Sequence, residues 1–173
     1  MSNRQQLAAF EQGGSLLFPP VLCVRDNLSI PDGWVDKVEK WCLKSGKYND
    51  KLKLTTTFGT SNQAHLVPWI MEVLSLISPK ETFMSSWVQV YKPGGFHPIH
   101  NHSRGGATQS GCLFLSEGFS SYFQNPLYKS CIKNSEVKVG DVILWEPELY
   151  HFSPPVLEKR IILAFNLFTG KVF

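Results

Sequence analysis

From residue 83 onward the sequence keeps a β rhythm, and that rhythm limits the folds open to it. Short β-branched and aromatic runs recur at 86–91, 110–116, 121–124, 136–139, 142–145, 150–153 and 160–168. Turn formers separate them: Gly94-Gly95, Glu117-Gly118, Gly140-Asp141, Pro147 and Pro154-Pro155. Roughly seven or eight short strands at this spacing predict a sandwich or barrel. The last run is the most informative. Ile161, Leu163, Phe165 and Leu167 fall on one face of a strand, and Arg160, Ile162, Ala164 and Asn166 on the other. The first set is a core face. The second is either a solvent face or a pocket wall, in which Ala164 leaves room and Arg160 offers a two-pronged donor to a carboxylate.

The first 80 residues read differently. Residues 15–18 and 21–25 are strand-like, and Pro19-Pro20 between them suits an edge or a connection. A helix is expected over 31–45. Pro31 fits its first turn, Asp32 its positive end and Gly46 its C-terminal cap. Trp34, Val38, Trp41 and Cys42 form one apolar stripe along it. Residues 55–60 suggest a loop or edge strand. A second helix is expected over 62–78, with Pro68 starting or kinking it and His65 at the surface or in a cap. The two textures read as two layers of one domain over 1–173: helical support over 1–80 and a β core over 83–173, with the helices on one outer face.

Composition removes several classes. Hydrophobic residues make up 43% of the 173, enough for a real core. A net charge of +3, scattered along the chain, gives no reason to expect nucleic acid. No run approaches the roughly eighteen apolar residues of a membrane span. The opening Met1-Ser2-Asn3-Arg4-Gln5-Gln6 lacks the layout of a signal peptide, so a cytoplasmic protein is expected. Cys23, Cys42, Cys112 and Cys131 form no CxxC pair and read as small core residues.

Four of the five histidines lie in the β half, and three fall in the run His97-Pro98-Ile99-His100-Asn101-His102. Residues i and i+2 of a strand share a face, so His100 and His102 can address one centre. Tyr150-His151-Phe152 sets a further histidine in an apolar strand. Three protein ligands with open positions make a catalytic type of metal site. The Gly-rich loop 103–109, with Arg104, follows the cluster as a lid would.

These residues resemble the iron(II)- and 2-oxoglutarate-dependent oxygenases, over roughly half the chain. The family pattern of a strand ending in Tyr, a nearby Gly and then His-x-Asp/Glu is similar to Gln89-Val90-Tyr91-Lys92-Pro93-Gly94 followed by His100-Asn101-His102. Its second half, Gly-Asp, an apolar strand, a His and then an Arg, is similar to Gly140-Asp141, Trp145, His151 and Arg160. Short bacterial and phage members also share the sequence of His-x-His-Ser and then a Ser-Gly strand, here Ser110-Gly111. The resemblance implies a mainly β fold with flanking helices, the double-stranded β-helix or jelly roll. It implies iron(II) held by His100, His102 and His151, with His102 where most of the family has a carboxylate. It also implies 2-oxoglutarate held by Arg160 with Tyr91 and Asn166, and dioxygen as co-substrate. Gln89, His97 and Ser110 are then pocket residues. Direct ligation by His102 fits the family spacing, while His97, Glu146 or Glu148 are the alternatives for the third ligand.

Two rival readings stand beside it. One is a cupin-type site using zinc or another divalent metal. The other is a β-sandwich binding module without catalysis. The substrate is a small molecule or a peptide, with prolyl hydroxylation suggested by analogy alone. Phe96, Tyr122, Phe123 and Tyr128 are candidates for a substrate groove, with sheet packing as their ordinary use. A homodimer is compatible with the sequence and demanded by nothing in it.

Overall fold

The computed structural model describes residues 15–18, 21–124, 132–133 and 136–168. The N-terminal hexapeptide, Pro19-Pro20, Tyr128, Cys131 and the side chain of Cys23 lie outside the described residues. Along the chain come β1 (Ser15–Phe18), β2 (Val21–Asn27), α1 (Trp34–Ser45), β3 (Lys47–Asn49), β4 (Leu54–Thr56) and α2 (Pro68–Leu74). Then follow β5 (Phe83–Tyr91), β6 (His97–His100), β7 (Gln109–Phe114), β8 (Gly118–Phe119), β9 (Tyr122–Gln124) and β10 (Ile132–Lys133). The last four are β11 (Glu136–Val137), β12 (Asp141–Trp145), β13 (His151–Ser153) and β14 (Arg160–Leu167).

The strands form an eight-stranded sheet in the order β1-β2-β12-β7-β14-β5-β4-β3 and a four-stranded sheet in the order β10-β9-β13-β6. A small β11-β8 ribbon completes the set. The strand pairs are antiparallel. This is the double-stranded β-helix arrangement, with helices on one outer face.

The alternation in β14 decides the layering. Ile161, Leu163, Phe165 and Leu167 join Val88, Val90 and the α1 residues Trp34, Val38 and Cys42 in one apolar cluster. Ile162 and Ala164 point the other way, into a second cluster with Trp87, Tyr91, Cys112, Phe114, Phe123 and Trp145. A strand buried on both faces has no solvent face, so Arg160 is interior, at 6% exposure. Burying a Leu or Phe contributes about 1.5–3 kcal/mol each, which holds α1 to the sheet through its narrow stripe. The indole N–H of Trp34 is satisfied by the carbonyl of Trp69 at 3.0 Å. Cys42 and Cys112 are buried free thiols.

Several elements differ from the sequence reading. The second helix is short: Pro68 is its first residue, and Ala64–Leu66 before it is a separate one-turn 3-10 helix. Proline has no N–H to give the turn before it, so it starts a helix more readily than it continues one. His65 is buried and accepts or donates at Ser86 Oγ, 2.9 Å away, rather than sitting at the surface. Residues 54–56 are a strand inside the large sheet, covered by β3 at the edge. Gly140 does turn the chain, at φ 92°. The strands it joins belong to different sheets, and a Cβ there would collide with the Leu28 carbonyl oxygen.

Candidate metal centre

β6 and β13 lie side by side, with His100 opposite His151 in register. Opposed residues of adjacent strands share a face, and here the ring centroids are 4.3 Å apart. His102 follows just beyond β6, with its ring 5.1 Å from that of His100 and 5.2 Å from that of His151. The side chain of Trp87 stacks on the His102 ring at 5.9 Å. One ring nitrogen from each of the three histidines lies within 4.8 Å of the others.

The partners of Nδ1 fix which nitrogen is free. Nδ1 of His100 meets the Pro98 carbonyl at 2.9 Å, and Nδ1 of His151 meets the Leu149 carbonyl at 3.0 Å. Nδ1 of His102 meets Oδ1 of Asn166 at 2.8 Å. These oxygens only accept, so each Nδ1 carries the proton and each Nε2 keeps its lone pair. Nε2 of His102 is buried without a hydrogen-bond partner among the described residues. An orphaned buried acceptor is costly, and a cation at the meeting point of the three nitrogens relieves it. The donor set therefore fits a divalent metal of the first transition row.

Burial keeps these imidazoles neutral. It pushes His102 and His97 down to about 4, with the nearby His100 adding to the effect. It lowers His100 as well, opposed by the bond to Pro98, and it lowers His151 strongly. His97 lies beside His100 with its ring tilted, at 4.4 Å between centroids, and is outside the three-residue group. Glu146 and Glu148 lie outside it too.

The site opens into a cavity of about 410 Å³. Phe58, Trp87, Trp145 and Phe152 give it aromatic walls, and Arg104 and Gly105 from the loop after His102 stand at its side. Among the described residues no acidic side chain lines it. Gln89, Tyr91, His97 and Asn166 line it as well. The Tyr91 hydroxyl donates to Oε1 of Gln89 at 2.8 Å, and burial raises its pKa, so it stays a phenol. Burial also pushes the Cys112 thiol up to about 12, which keeps a thiolate out of this wall.

Arg160 lies behind the lining, beside Tyr91 and Phe114, with its guanidinium carbon 5.8 Å and 5.5 Å from their ring centroids. Nη1 donates to Ser153 Oγ at 2.8 Å, while Nε and Nη2 are buried without partners among the described residues. Ser110 and Asn166 are joined to each other at 2.8 Å and serve His102. The aromatic candidates fare differently. Phe123 packs in the second core cluster, Tyr122 makes a tilted ring contact with Phe152 at 5.4 Å, and neither they nor Phe96 line the cavity. Trp87, Trp145 and Ser153 were not singled out from the sequence as cavity residues. For the tryptophans, their place on the inner face of strands flanking the histidines was the available signal. For Ser153 there was none.

No family model matches the sequence, and no curated protein matches it. Solved structures do match over most of the chain. An oxidoreductase of the 2OG-Fe(II) oxygenase family from Burkholderia pseudomallei superposes with a TM-score of 0.58 at 11% identity, covering 84% of this chain and 83% of that one. A prolyl hydroxylase from Trichoplax adhaerens, bound to a fragment of hypoxia inducible factor, gives 0.58 at 10% identity, covering 99% and 96%. HygX from Streptomyces hygroscopicus, with nickel, 2-oxoglutarate and hygromycin B, gives 0.60 at 13% identity, covering 96% and 87%. At such identities the likeness speaks for the backbone. This chain has the double-stranded β-helix fold that those oxygenase structures share.

Proposed function

We propose that the protein is an iron(II)- and 2-oxoglutarate-dependent oxygenase that hydroxylates a small molecule or a peptide side chain. The observation that carries this reading is the convergence of three imidazole nitrogens, each with its partner nitrogen tied to an acceptor, on the wall of a cavity. His100, His102 and His151 would hold the metal. When bound, iron(II) supplies chelation of the keto acid and activation of dioxygen, the chemistry that couples loss of carbon dioxide from 2-oxoglutarate to oxidation of a C–H bond. The atoms balance as 2-oxoglutarate, dioxygen and R–H going to succinate, carbon dioxide and R–OH.

The residues of this chain bind and orient. Arg160 has two unpartnered nitrogens and a buried charge, and an anion relieves both. It is the receiver for the distal carboxylate of 2-oxoglutarate, with Tyr91 and Ser153 fixing its direction. The aromatic walls exclude water. The solved relatives are consistent with either substrate class, since HygX binds the small molecule hygromycin B and the Trichoplax enzyme a peptide fragment. Proton NMR tests the reading. With iron(II), ascorbate and air, the protein should convert 2-oxoglutarate slowly to succinate, and His151→Ala should not. Equal conversion by both would contradict it.

A further inference from the structure

We propose that Asn166 is a positioning residue that sets the tautomer of His102, and so lets a histidine serve as the third ligand. The inference rests on the metal reading above. His100 and His151 give their Nδ1 protons to main-chain carbonyls, which no substitution of a side chain removes. His102 alone is tied to a side chain. Its tautomer is therefore the one that the sequence had to specify.

The sheet explains how. Trp145 is opposite Ser110, Ser110 opposite Asn166, and Asn166 opposite Ser85, on four adjacent strands. The next row along the same face is Ile143, Cys112, Ala164 and Trp87, which is apolar but for the thiol. Polar side chains in such a wall cost free energy unless they are hydrogen-bonded. Here they bond to one another. Ser110 Oγ donates to Asn166 Oδ1 at 2.8 Å, and Asn166 Nδ2 donates to Ser85 Oγ at 3.2 Å. The carboxamide is held with its oxygen toward His102. That oxygen takes the Nδ1 proton and leaves Nε2 bare. A reversed carboxamide would present N–H to Nδ1, move the ring proton to Nε2 and remove the lone pair a metal needs. Trp87 stacks on the ring and fixes its plane, but a stacked ring does not choose a tautomer.

Two readouts test this on the full chain. Long-range proton–nitrogen NMR of the metal-free, nitrogen-15-labelled protein at neutral pH reads the tautomer of His102. Nickel(II) titration reads the affinity of the site. The wild type should show Nδ1–H at His102. Asn166→Leu should show a mixture of tautomers and bind nickel(II) about 10–100-fold more weakly. Asn166→Asp keeps an acceptor and should restore both readouts. Asn166→Ala replaces the leucine variant if that one does not fold. Nε2–H at His102 in the wild type would overturn the proposal. So would nickel(II) binding of wild-type strength, with an unmixed tautomer, in a folded Asn166→Leu protein. If the wild type bound no nickel(II), the metal reading would fall, and the tautomer would still decide the role of Asn166.

Discussion

Arg160 gives one N–H to the hydroxyl of Ser153 at 2.8 Å and leaves Nε and Nη2 in the interior with no partner among the described residues. A guanidinium is planar and rigid, so the bond to Ser153 and the neighbouring Tyr91 ring fix where the free edge points. Arg160→Met should therefore weaken 2-oxoglutarate binding by about 100-fold, on the order of 3 kcal/mol. Iron(II) affinity should stay at the wild-type value. Calorimetric titration of each ligand separates the two. An equal loss of metal would mean that Arg160 supports the fold instead.

The two histidines nearest His100 should behave differently. His151→Ala removes one of the three proposed ligands and should lower metal affinity by more than about 100-fold, beyond what loss of a supporting group costs. His97→Ala should leave it within about threefold, because His97 lies outside the converging group. Circular dichroism would show both folded. A larger loss from His97→Ala would put that residue on the metal.

Much of this site was legible because β-structure converts sequence spacing into geometry directly. The alternation around Arg160 needed only the period of a strand, whereas β6 ends at His100 and His102 joins the group from the segment just beyond it. That neither face of β14 meets solvent was not legible, since that depends on a second sheet lying over the first. His65 was misread for a similar reason: its partner, Ser86, is distant in sequence. Asn166 could be placed on the pocket wall, but its service to His102 depends on a register between strands that single-sequence patterns do not specify. The second helix was read too long because the apolar pattern continues through Ala64–Leu66, where the backbone is already a 3-10 turn.

Acidity should destabilise the metal-free protein. His97 and His102 are held near pKa values of about 4 against an ordinary 6.5, and His100 and His151 are lowered too, with burial the largest cause in each case. The folded state thus binds fewer protons than the unfolded chain between those values. Stability is fully present above the unfolded value and falls as pH drops toward 4. Urea midpoints at neutral pH and at pH near 5 measure the difference. A flat profile would mean that the rings are solvated. Metal loading should move the loss to lower pH, because the ion competes with protons for Nε2.

Leu163 is fully buried between the sheet and the helices, away from the cavity. Leu163→Ala should cost about 2–5 kcal/mol of stability through the lost contact and the void left behind. Metal stoichiometry at low temperature should not change. A variant as stable as the wild type would mean that the helical layer is loosely docked.

The central claim is that the three histidines form an open iron site that accepts a keto acid. Anaerobic titration of the iron(II)-loaded protein with 2-oxoglutarate tests it most directly. A broad visible charge-transfer band should grow and saturate at one equivalent, and Arg160→Met should need far more ligand to reach it. Iron bound at the three histidines with no band at any 2-oxoglutarate concentration would contradict the account.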